Sequence, residues 1–148
     1  MTEAWLETLS SEECLSLLRA NVIGRIGFTV DELPTVLPVN YRLVESQGTT
    51  PGAWIALRTR PGNVIDQPSI PVAFEIDGID PFHRKGWSVL VRGNVHSVDR
   101  VAVGRRFDSE PWLTADRDAW LVIEPFEISG RRLHPAQQDW AFDARGYS

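Results

Sequence analysis

Residues 22–44 read VIGRIGFTVDELPTVLPVNYRLV, and the fold is decided there. In residues 22–30, Val22, Ile26, Phe28 and Val30 are separated by small or polar residues. That period of two is the mark of a half-buried strand. Asp31, Glu32 and Leu33 then make a short turn before Pro34. Residues 35–44 repeat the pattern, with Leu37, Val39, Tyr41 and Leu43 on one face. Pro38 lies inside this second strand, and a proline cannot donate to a ladder, so the strand is expected at a sheet edge or with a bulge.

The same reading extends outward. Ser10 and Glu13 fit a capping box, and Cys14, Leu15, Leu17 and Leu18 follow helical spacing, which predicts a helix over 11–20. Residues 45–52 are polar and end in Pro51-Gly52, a loop. A third strand is expected over 53–59, through Trp54, Ile55 and Leu57. Arg60-Pro61-Gly62-Asn63 turns the chain, and 64–68 have room for one helical turn. Val72 to Ile76 is a short strand, Gly78 to Gly86 a loop, and Trp87 to Val98 a long strand. Residues 99–107 are weakly helical in pattern. Trp120 to Leu133 is a last strand interrupted by Pro125, and the tail from His134 is polar. Asp77, Asp80 and Asp99 are read as turn residues, and Arg25, Arg92 and Arg131 as strand residues that either snorkel or pair with carboxylates, with no chemistry assigned to them. About six strands and two short helices, with no repeat, suggest a small closed barrel.

A chain of 148 residues suggests one domain over 1–148, with 134–148 as a polar tail. A domain that size buries roughly 70% of its unfolded surface and needs no disulfide or structural metal. The single cysteine rules out an intramolecular disulfide and a cysteine-based zinc site. Cys14 reads as a buried helix residue. A net charge of −5 argues against general nucleic-acid binding, because an acidic surface repels phosphate backbones. No apolar run approaches a membrane span, and the N-terminus, with Glu3 and Glu7, lacks the character of a signal peptide. A cytoplasmic protein with no membrane partner is expected.

Six segments, in order, carry a resemblance: Val22 to Phe28, Leu33 to Tyr41, Arg58-Thr59-Arg60-Pro61-Gly62, Val72 to Asp77, Gly86 to Gly93, and Ile128 to Arg132. Together they resemble the pyridoxamine 5′-phosphate oxidase-like proteins of the flavin-binding split-barrel superfamily, over about residues 8–133. The resemblance implies a mainly β fold, a six-stranded antiparallel split β-barrel with two or so short helices. It implies a homodimer that holds flavin mononucleotide (FMN) in a groove at the dimer interface. Some relatives use an 8-hydroxy-5-deazaflavin, and others have no demonstrated cofactor.

Carried onto this sequence, the resemblance sets Arg58 and Thr59 at the cofactor phosphate. A guanidinium fork and a hydroxyl both suit a phosphate, and the turn at Asn63 can add backbone N–H groups. A solvated strand end is the plainer reading of the same residues. The family pattern then places a lysine where this chain has Val64. Pro38, Val39 and Asn40 match the strand that the family lays along the flavin ring. Pro38 leaves an acceptor without a donor, and Asn40 can both donate and accept. A plain edge strand fits equally well. Trp87 suits a planar ring, a subunit interface or the core, and Ser88 follows it. No residue stands out as acid, base or nucleophile, as expected where the chemistry belongs to a flavin. Two functions follow: an FMN- or deazaflavin-dependent oxidoreductase acting on a small molecule, or a non-catalytic flavin- or ligand-binding sensor whose phosphate site has lost its lysine.

Overall fold

A computed structural model describes residues 5–46, 52–58, 69–97 and 120–135. Their elements run β1 (Trp5–Thr8), α1 (Ser11–Ala20), β2 (Ile23–Val30), β3 (Leu33–Ser46), β4 (Gly52–Arg58), β5 (Ile70–Asp80), β6 (Lys85–Ser97) and β7 (Trp120–His134). The strand order is β1-β7-β4-β3-β2-β5-β6, and β6 pairs back onto β7. Six strands therefore close a ring, every pairing is antiparallel, and β1 is added outside it on β7. This is the split barrel expected from the sequence, with one strand more than the six counted there.

α1 spans 11–20 as predicted, and its start is a capping box. The Glu13 N–H donates to Ser10 Oγ at 3.1 Å, while Ser10 N–H donates to Glu13 Oε1 at 3.3 Å. The helix seats Cys14 and Leu18 in the core. Tyr41, across the barrel wall, donates its hydroxyl to the Leu18 carbonyl at 2.7 Å, and burial pushes that phenol up to about 12. Burial also raises the Cys14 thiol, which lies in the core on α1 as the sequence suggested. A Cβ at Gly130 would stand 2.7 Å from Cys14 Sγ, so only glycine lets β7 approach the helix this closely.

The β2–β3 turn closes in two residues, with φ of 50° at Asp31 and 68° at Glu32. Positive φ at both positions matches the twist of the flanking strands. Ile26, Phe28, Tyr41, Phe74, Val89, Val91 and Ile123 fill the interior, and Leu37, Val39 and Leu43 pack against them, as their alternation predicted. β4 departs from alternation: Trp54, Ile55, Ala56 and Leu57 are all buried, so both its faces are covered.

Three expectations need correction. Residues 78–86 are not a loop, because β5 runs to Asp80 and β6 starts at Lys85, in register from Asp80↔Lys85. Backbone pairing extends this hairpin past the apolar stretch that periodicity detects. Asp77 is a strand residue, paired with Ser88, whereas Asp80 does serve the turn, accepting from His83 N at 3.0 Å. Pro125 does not interrupt β7. The register against β6 shifts between Arg92 and Gly93, leaving Phe126 unpaired there, and Pro125 sits at that bulge. The helices expected at 64–68 and 99–107, Asp99, and the tail beyond residue 135 lie outside the described residues.

Candidate functional site

β3 changes partner halfway along. Residues 33–40 pair with β2 on one edge, and residues 41–46 pair with β4 on the other. Among the described residues, the edge of 33–40 facing away from β2 has no partner strand. The backbone alternation says which residues show their polar groups there. The Tyr41 N–H donates to the Val22 carbonyl at 2.9 Å, so odd-numbered residues of β3 turn toward β2. Pro34, Val36, Pro38 and Asn40 turn toward the open edge. Both prolines of β3 thus fall where no ladder hydrogen bond is lost. Val39 differs from its neighbours: its backbone faces Gly24 and its side chain packs against the core.

The β3–β4 register brings the phosphate candidate to this edge. Tyr41 opposes Leu57, so the next step along both strands sets Arg58 beside Asn40. Both are exposed. The Arg58 guanidinium lies 5.4 Å from the centre of the Trp120 ring, its partner across β4–β7. Stacking on the ring fixes a guanidinium's place while its N–H edges stay in plane. Thr59, Asn63 and Val64 lie outside the described residues.

Trp87 and Ser88 sit elsewhere and point apart. Carrying the register across Asn40↔Ile23 and Asp77↔Ser88 puts Arg58, Asn40, Ile23, Asp77 and Ser88 on one lateral row of the outer face. Ser88 is four strands from Arg58 in the order β4-β3-β2-β5-β6, a path of about 19 Å along the curved wall at a strand spacing of about 4.8 Å. One chain therefore joins Pro38, Asn40 and Arg58 but not Ser88. Trp87 faces inward and packs against the core over Gly78, where a Cβ would lie 2.5 Å from the indole Nε1.

The sequence reading missed an ion cluster on the same outer face. Arg25 opposes Pro38 on one side and Glu75 on the other. Its guanidinium bonds Asp77 and lies 3.2 Å from Glu75 Oε1, which is buried without hydrogen-bonding geometry to any partner. Burial, together with the Asp77 carboxylate, pushes the Glu75 carboxyl up to about 7. The bond from Arg25 holds Asp77 below the usual carboxylate range. Arg92 likewise meets Glu127 at 3.7 Å. Among the described residues no group of His, Cys, Asp and Glu could hold a metal, and no helix is long and apolar enough to cross a membrane.

Known proteins share this architecture. An uncharacterized protein of Mycobacterium tuberculosis is 32% identical over 131 residues, 84% of each chain. A structure described as the FAD-binding protein of Mycobacterium smegmatis superposes with a TM-score of 0.60 at 29% identity, over 86% of this chain and 98% of that one. A conserved protein of unknown function from Corynebacterium diphtheriae gives a TM-score of 0.62 at 26% identity, over 85% of this chain and 96% of that one. The family model described as pyridoxamine 5′-phosphate oxidase matches residues 10–132, from the helix cap almost to the end of β7. With that match on a six-stranded ring, the chain belongs to the pyridoxamine 5′-phosphate oxidase-like family.

Proposed function

We propose that the protein binds a flavin along the open edge of β3, as a flavin-dependent oxidoreductase of a small molecule. The observation that carries this reading is the meeting of Arg58 with Asn40 at the end of the β3–β4 ladder. A flavin nucleotide needs a cation for its phosphate and a mixed donor–acceptor edge for its ring. Arg58 is suited to the first, and the outward-turned groups of Val36, Pro38 and Asn40 to the second. The M. smegmatis relative, named for FAD, supports a flavin. FMN and FAD share the ring and the first phosphate, so Arg58 with Thr59 serves either, and an 8-hydroxy-5-deazaflavin offers Arg58 a phosphate only in its phosphorylated forms. When bound, the flavin supplies the electron transfer, and the residues of this chain bind and orient it. Ser88, four strands around the wall from Arg58, reaches the same ligand from a second copy, in a groove of a homodimer. Val64 in place of a lysine favours the second reading, a non-catalytic flavin- or ligand-binding sensor.

The test is an absorption spectrum of purified protein, then titration with FMN, FAD and the deazaflavin. Arg58→Ala is expected to weaken binding by about 10- to 150-fold, the worth of one hydrogen bond to a charged group. Val64→Lys is expected to strengthen it by a similar factor. Unchanged affinity in Arg58→Ala would mean that the phosphate lies elsewhere.

A further inference from the structure

An apolar row crosses four strands on the outer face of the sheet. Ile79 opposes Gly86 across β5–β6, Gly86 opposes Leu133 across β6–β7, and Leu133 opposes Leu6 across β7–β1. Directly opposed residues project from the same face. Ile76 and Val89, three residues from Ile79 and Gly86, are in the core, so alternation turns the row outward. Ile79 is 73% exposed, Leu6 56% and Leu133 39%. Gly86 has no side chain, which leaves a gap between Ile79 and Leu133 of two strand spacings, about 10 Å. An exposed apolar row with a gap at its centre is a seat for another apolar group.

The chain itself holds a group that fits. β7 ends at His134, and Pro135, with no N–H, cannot extend its ladder, so the sheet stops two residues after Leu133. Residues 136–148 follow, and they carry Trp140 and Phe142 among polar neighbours. The five residues from Pro135 to Trp140 reach up to about 17 Å when extended, farther than the row is wide from Leu133 to Ile79. Charge agrees with length. Asp139 and Asp143 flank the two aromatics. Arg131 is exposed on the face of the row, opposite Ser88 and two residues before Leu133.

We propose that this row is the docking site of the chain's own segment 136–148, with the Trp140 indole over Gly86 between Ile79 and Leu133. An indole seated there takes its own apolar surface and that of both neighbours out of water. The acids beside it meet Arg131. Neither Arg58 nor Asn40 belongs to the row, so this inference stands without the flavin reading.

The test uses the full chain and reads Trp140 as the difference in fluorescence between wild type and Trp140→Phe. Acrylamide is expected to quench that component only weakly. Ile79→Glu, which removes an apolar wall and repels the acids, is expected to raise its quenching to the level of tryptophan in an unfolded chain. Ile79 is exposed, so the variant keeps its core. Lys85→Ala, one residue from Gly86 and on the other face, is expected to leave the quenching unchanged. Full quenching of Trp140 in the wild type would overturn the docking. Quenching unmoved by Ile79→Glu, or raised equally by Lys85→Ala, would overturn the seat. Shielding that is lost on dilution would give the row to the segment of a second copy and overturn the folding back of the chain on itself.

Discussion

Glu75 shows what a single side chain contributes when register, not sequence, selects its neighbours. Its carboxyl is pushed up to about 7 by burial and by Asp77. A folded value above the ordinary 4.5 means that the native state favours the protonated acid. The stability from Glu75 is therefore complete below about 4.5 and fades as pH rises through about 7. Asp77 runs the other way, its contribution being lost as acid protonates it below its lowered value. Glu75→Gln keeps the neutral form at every pH. Its melting temperature relative to wild type is expected to climb between about pH 5 and about pH 8, read by thermal unfolding at several pH values. A relative melting temperature that falls over that window would contradict this account. Arg25 and Asp77 were visible in the sequence, and snorkelling or pairing with a carboxylate were both open for Arg25 there. Which carboxylate it meets was not visible, because Arg25 and Glu75 become neighbours only through the short β2–β5 ladder at Arg25, Ile26 and Gly27.

β3 carries the clearest lesson about elements. Its alternation showed which side chains face the core, and its two prolines announced an edge. Assigning the edge to 33–40 alone needed the register, since β4 covers the strand beyond Tyr41. The parity of the backbone then gives a sharp expectation. Leu37→Pro removes an N–H that faces β2 and leaves a buried acceptor without its donor, which costs about 1–3 kcal/mol. Val36→Pro removes only an outward N–H, and its effect on unfolding by urea is expected to be much smaller. Equal losses would mean that the open edge is not open. β1 was missed for a related reason. Trp5 and Leu6 stay about half exposed, so no burial period marks the strand, and it exists through backbone pairing with Arg131 to His134. The site divides in the same way. Arg58, Pro38 and Asn40 were named from the sequence, but their meeting, and the inward turn of Trp87, are products of strand register.

At the scale of the molecule, Ile23, Leu33 and Val36 stand 59–67% exposed on β2 and β3, next to the proposed flavin edge. Such exposed side chains are material for contact with a second copy. Sedimentation at micromolar concentration is expected to give a dimer, and Ile23→Glu to raise its dissociation constant by roughly tenfold or more. A wild-type monomer would count against the shared groove. β7 has a further consequence, for the order in which the chain takes shape. Both β4 and β6 find in Trp120–His134 the partner that closes the ring, and β1, near the start of the chain, has its partner there too. During synthesis on a ribosome, β1, β4 and β6 must therefore wait with an edge unsatisfied until β7 emerges. Contacts this distant along the chain also slow folding. A nascent chain halted before β7 has no ring to close, and the interval before β7 emerges is when a chaperone has the most to hold.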